Sequence, residues 1–251
     1  MKTVLITGAS SGVGAATARR LAKDGKSVIL VARSADALQA VADEIGPNAT
    51  AMPCDASDPD AVAQLAKDVV DRFGVPDGII NSAGAGQWKT VQDTTPQEAM
   101  EMMQAPYFAA FNLSHAFLHA MLTRGSGVIV HVNSPACFAP WPSSAGYAAS
   151  RAALRALHEA MSQDLVGTGV HSCHVVFGEV TSPYFDNNPG TAEKIPMLGK
   201  MIPKMSVETC ADVLADVLAR PRAQVIQPFL LKPNVLTARL FPRFARWALR
   251  F

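Results

Sequence analysis

Charge is scarce in this chain, and neither sign dominates. There are 22 lysines and arginines against 21 acidic residues, 17% of positions are charged, and the formal net charge is +1. Nucleic-acid-binding surfaces carry a clear basic excess, so that class of partner is excluded. Cysteine is also sparse. Cys54, Cys137, Cys173 and Cys210 are scattered without a CxxC pair or metal-ligand spacing, so they read as reduced thiols of a cytoplasmic protein with no metal site. No apolar run approaches the roughly eighteen residues of a membrane-spanning helix. Neither a secretory signal pattern nor a repeat of about twenty to fifty residues is visible.

What the chain does have is apolar material. Hydrophobic residues make up 49% of its 251 positions, enough for a sizeable core. Short apolar runs at 3–7, 27–32, 49–54, 77–81, 127–133, 170–177 and 223–227 read as strands. Helical patterns at 13–24, 34–44, 58–73, 97–123, 147–167 and 207–219 separate them. This rhythm of strand and long helix predicts βαβ units. The expected fold is a doubly wound parallel sheet, Rossmann-like, between two helical layers. No linker divides the chain, so 1–251 reads as one domain with a Pro- and Gly-rich loop near 178–206.

Ligands of such sheets bind beyond the carboxyl ends of the strands, and the informative residues cluster there. TGASSGVG joins the first strand to the first helix. Gly8 suits a tight turn, Gly12 a close approach of backbone to a pyrophosphate, and Gly14 close helix packing, with Ser10, Ser11 and Val13 beside them. A plain Gly-rich loop is the alternative. The second strand ends in VARS, where an NAD site normally has Asp or Glu. Arg33 with Ser34 suits the additional phosphate of NADP, because a guanidinium grips phosphate with two parallel bonds. An isolated surface arginine is the plainer reading. Asp55, with Ala56 next to it, is placed to bond an adenine edge. Asn81, Ala83 and Gly84 end the fourth strand near the adenosine ribose.

Residues 147–151 read YAASR, and Ser134 lies thirteen positions before Tyr147. With TGASSGVG, Asp55, NSAG at 81–84 and GEVTSP at 178–183, the chain resembles a classical short-chain dehydrogenase/reductase over about residues 1–230. The resemblance implies that Tyr147 is the general acid in carbonyl reduction and the base in alcohol oxidation, while Ser134 orients the reacting oxygen. It also implies that Gly178, Val180 and Ser182 flank the nicotinamide, and that the protein is a homodimer or homotetramer built through two long helices.

The chain departs from the family in three places. Arg151 stands where the family uses lysine. It can supply charge and ribose donors, but it is effectively never deprotonated, so a proton relay through an amine does not carry over. Pro106 stands where the catalytic asparagine is expected, with Gln104 two residues early and Asn112 six residues late. Phe177 replaces a proline before Gly178. Two classes of function therefore stay open: an NADP-dependent oxidoreductase, or a nucleotide-binding protein with little or no redox activity.

The expected substrate is a fairly hydrophobic ketone, aldehyde or alcohol. Phe138, Trp141 and a methionine-bearing loop with Met197, Met201 and Met205 would line its pocket. A lid packed only on its own domain is the alternative. The tail at 233–251 is basic and amphipathic, with Arg239, Arg243, Arg246 and Arg250 expected as one stripe, Leu236, Leu240, Phe244, Trp247 and Phe251 largely elsewhere, and a break at Pro242. Subunit docking and peripheral membrane contact both fit it.

Overall fold

A computed structural model of the chain describes residues 2–84, 86–186 and 188–250. Phe251 lies outside the described residues. The chain runs β1 (Thr3–Thr7), α1 (Gly12–Lys23), β2 (Ser27–Val31), α2 (Ala35–Ile45), β3 (Ala49–Ala51), α3 (Pro59–Phe73) and β4 (Gly78–Asn81). It continues with α4 (Pro96–Met103), α5 (Ala109–Arg124), β5 (Gly127–Asn133), α6 (Ala145–Asp164), β6 (Val170–Phe177) and β7 (Val180–Thr181). Then come α7 (Met197–Lys200), β8 (Met205–Ser206), α8 (Val207–Ala219), β9 (Gln224–Gln227), α9 (Leu231–Leu240) and α10 (Pro242–Ala248).

Seven strands form one parallel sheet in the order β3-β2-β1-β4-β5-β6-β9. Their side chains alternate between two faces, and both faces are covered. Val4 and Ile6 of β1 pack toward α1, α2 and α8, against Leu21, Leu38 and Leu214. Leu5 packs the other way, toward α3, α5 and α6, against Val62, Leu113 and Met161. This two-sided burial explains why the strands read as unbroken apolar runs. The order reverses between β1 and β4, which opens the crevice that holds the site.

Polar residues set the helix starts. Asp58 caps α3 by accepting from the N–H groups of Asp60 and Ala61, with Pro59 at the first helical position. Thr95 and Glu98 cap α4 reciprocally.

Three expectations change. The helix expected over 97–123 is interrupted: Gln104–Phe108 forms a π-helical turn around Pro106. Proline has no N–H to give, so the ladder is rerouted across a wider turn instead of running straight through. The loop at 178–206 is not structureless, since β7 and β8 pair in parallel and α7 lies between them. The third strand stops at Ala51 rather than at residue 54.

Between the sheet and α6 lie three buried histidines: His131 on β5, His158 on α6 and His174 on β6. The His158 and His174 rings stack at 5.2 Å, and His131 meets His158 edge-on at 6.2 Å. His158 Nδ1 lies 2.9 Å from the Ser172 hydroxyl. Burial pushes their pKa values down to about 3 for His131, 4 for His158 and 3 for His174. Glu159 opposes the shift at His158, while Arg155 and Arg239 reinforce it at His174.

The three rings are neutral in the fold and charge readily once unfolded. Their contribution to stability is therefore complete above the ordinary histidine value of 6.5 and is lost as pH falls toward 4. We expect urea unfolding to show a loss between pH 7 and pH 5 of on the order of 1–2 kcal/mol for each histidine. A His131→Gln variant should lose less over the same interval. An equal loss in the variant would remove the buried imidazole as the cause.

Candidate active site

The loops leaving the carboxyl ends of the strands open onto one cavity of about 1360 Å³. Gly8, Ser10, Ser11, Gly12, Val13 and Gly14 form one end of it. Gly8 and Gly12 hold φ values of +65° and +54°. Ser11 is the N-cap of α1 but makes no side-chain capping bond, so the start of the helix offers open N–H groups to the cavity. Gly14 makes the tight approach: a Cβ there would lie 2.3 Å from the Gly8 carbonyl oxygen. Thr7 fixes the neighbouring loop, its hydroxyl oxygen accepting from the N–H groups of Ser82 and Ala83 at 3.1 Å each.

Arg33 and Ser34 line the cavity at the end of β2. Arg33 is exposed and has no hydrogen bond or ion pair among the described residues. Asp55 lines the wall next to Ala56. The Ser57 hydroxyl at 2.7 Å, the Ser57 N–H and the Arg33 charge together hold the Asp55 carboxyl below its ordinary range, against the opposing effect of burial. Asn112 supports this loop from behind, donating to the carbonyls of Ala56 and Ser57 at 3.1 Å each. Asn112 therefore lies outside the cavity, whereas Gln104 and Ala105 of the π turn reach its edge and Pro106 does not.

Asn81 requires a correction. Its side chain is buried and its Nδ2 lies 3.3 Å from His131 Nδ1, so it sits beneath the cavity and not on its wall. At the end of a fully buried strand, alternation turned this side chain toward the histidines.

Ser134, Tyr147 and Arg151 share the same cavity. One side chain orders them. Asn133, the last residue of β5, accepts from the Ser134 N–H at 2.8 Å and donates to the Arg151 carbonyl at 3.0 Å. The same Nδ2 lies 2.9 Å from His174 Nε2. Tyr147 and Arg151 stand one turn apart on α6, and the guanidinium carbon lies over the tyrosine ring at 5.0 Å from its centroid.

The arginine is 7% exposed, its Nη1 reaches the Val132 carbonyl at 3.4 Å, and its buried Nε has no partner among the described residues. Its far end occupies the space left by the missing side chain of Gly84, where a Cβ would lie 2.5 Å from Nη2. Arg151 lies sixty-seven positions after Gly84, and no sequence pattern links the two.

Beyond Tyr147 the walls turn aromatic and apolar. Trp88 lies 5.6 Å from the Tyr147 ring and 4.6 Å from Trp141. Tyr184 donates to the Gly86 carbonyl at 2.8 Å, and burial pushes its hydroxyl pKa up, so it stays protonated. Phe177, Gly178, Val180 and Ser182 also line the cavity, with Ser182 close to Gly12, followed by Met197, Leu198 and Met201 of the 178–206 loop. A lone tryptophan in an irregular segment carries no sequence pattern, so the place of Trp88 is visible only in the fold. Phe138 is held between the Arg155 and Arg239 guanidiniums at 4.6 and 4.8 Å. Arg239 is exposed, lies over Phe138 and also bonds Gln224.

Residues 2–191 match the short chain dehydrogenase family. The chain belongs to that family of oxidoreductases. It is 33% identical over 236 residues to an uncharacterized oxidoreductase of Mycobacterium tuberculosis, covering 91% of this chain and 67% of that one. It is 30% identical over 227 residues to a fatty acyl-CoA reductase of Acinetobacter baylyi, covering 88% and 74%. An alcohol dehydrogenase from the archaeon Thermococcus sibiricus, solved with 5-hydroxy-NADP, superposes with a TM-score of 0.78 at 26% identity, covering 90% of this chain and 95% of that one.

Two glycine substitutions separate rigid from yielding contacts. Gly14→Ala drives a methyl into backbone and is expected to cost about 2 kcal/mol or more. Gly84→Ala meets only the movable end of Arg151 and is expected to cost less than about 1 kcal/mol. Urea unfolding of both variants checks this, and equal losses would contradict it.

Proposed function

We propose that this chain is an NADP-dependent oxidoreductase that interconverts an apolar ketone or aldehyde with its alcohol. The observation that carries the reading is the single cavity joining the Gly-rich turn and Arg33 to Ser134, Tyr147 and an apolar wall. The residues present fit such a coenzyme. The open start of α1 suits a pyrophosphate, the exposed Arg33 suits a further phosphate, and Arg151, whose guanidinium tip lies beside Gly84, keeps a buried Nε donor with no partner among the described residues. When bound, the coenzyme supplies or accepts the hydride.

Ser134 donates a hydrogen bond to the substrate oxygen, held in place through Asn133. Tyr147 gives its phenolic proton to that oxygen during reduction and takes it back during oxidation. Arg151 supplies a fixed positive charge beside the ring and keeps its own protons. The tyrosine is therefore reprotonated from water in the cavity and not through the arginine. The aromatic and methionine-lined wall favours an alkyl or acyl chain over a sugar, in keeping with the fatty acyl-CoA reductase among the relatives. Phe108 and Phe111, exposed at the start of α5, suit a contact with a second copy of the chain.

A second reading, nucleotide binding without turnover, is favoured by Pro106 at the place of the family's asparagine. Fluorescence titration should show NADPH binding at least roughly tenfold tighter than NADH, about 1.4 kcal/mol, and Arg33→Ala should erase the difference. With aliphatic aldehydes, Tyr147→Phe should lower kcat/KM by roughly 100-fold or more. Tight NADPH binding with no aldehyde-dependent oxidation would decide for the second reading. Full activity in Tyr147→Phe would refute the assigned proton donor.

A further inference from the structure

The last two helices present a surface that the fold does not cover. α9 buries Leu231, Val235 and Ala238 against the β9 edge of the sheet, and α10 buries Ala245. Leu236, Leu240, Phe241, Phe244 and Trp247 remain between 55% and 63% exposed. A cluster of large apolar side chains at that exposure marks a contact surface. Pro242 and the non-helical Phe241 break the segment into two short helices.

Charge identifies what the patch meets. Residues 228–251 contain five of the chain's 22 basic residues and none of its 21 acidic ones. Arg243, Arg246 and Arg250 are exposed among the aromatic side chains. An isologous contact between two such faces would bring like charges together with no acid to offset them. Exposed aromatics interleaved with arginines instead match an anionic lipid surface, where the rings enter the headgroup layer and the guanidiniums stay at phosphate level. Phe244 and Trp247 also line the cavity, as do Met197 and Met201 of the 178–206 loop.

We propose that α9 and α10 dock on an anionic membrane surface, with the mouth of the cavity at the lipid boundary. No helix among the described residues is long and apolar enough to cross a bilayer, so the contact is peripheral. The use of that mouth by an apolar substrate rests on the reductase reading, whereas the docking does not.

The test is flotation of the full chain with phosphatidylcholine vesicles, with and without phosphatidylglycerol, in the absence of nucleotide and substrate. We expect co-flotation with the anionic vesicles alone, reversed by salt. An Arg243→Glu/Arg246→Glu variant should partition roughly tenfold or more weakly. Leu240→Ser/Phe241→Ser, on exposed side chains outside the cavity, should also lose binding while its far-UV circular dichroism and melting match the parent. The proposal is overturned if the parent stays with the aqueous fraction, or if both variants float as it does. It is also overturned if the variants convert a lipid-free dimer to monomer by sedimentation while the parent ignores vesicles, since the face would then be a subunit contact. A failed reductase assay leaves the flotation result intact, so the two readings fail separately.

Discussion

The amide of Asn133 ties together three elements that would otherwise be placed independently. Its oxygen takes the N–H of Ser134, and its nitrogen holds the carbonyl of Arg151 and contacts His174. β5, α6 and β6 therefore meet at one buried side chain, which fixes the backbone at Ser134 and Arg151. A buried amide is costly unless its bonds are made, and these are made inside the protein. The position of Tyr147, one turn before Arg151, follows from the same anchor.

The departures from the family's pattern share a logic of space. Arg151 is longer and wider than a lysine, and its far end is accommodated against Gly84, which has no side chain. Pro106 cannot continue an α-helical ladder, and the chain answers with a π turn that brings Gln104 to the cavity edge. In both cases the change of residue is absorbed locally, and the sheet that carries the loops is undisturbed.

The sheet was legible because each strand is covered on both faces and each crossover is a long helix, which leaves a periodic trace in the chain. The Gly-rich turn, Arg33, Ser134 and Tyr147 line one cavity because a sheet of this type sends its strand ends to one edge. Asn81 was misplaced because the face taken by the last residue of a buried strand depends on register, which composition does not carry. The π turn was hidden because Pro106 announces a disturbance without saying which ladder replaces the old one. The break at Pro242 could be read, but the contact of Arg239 with Phe138 could not, since it joins distant segments.

That last contact couples regions far apart in sequence. Phe138 follows the short turn after Ser134, and its ring lies against the guanidiniums of both Arg155 of α6 and Arg239 of α9. The tail thus touches the same wall as the helix that carries Tyr147. Trimming or exchanging the tail would change more than an appendage, because one jaw of a vice on the pocket would be gone. Grafting this tail onto a relative would require the matching aromatic at the wall, so the two segments form one heritable unit.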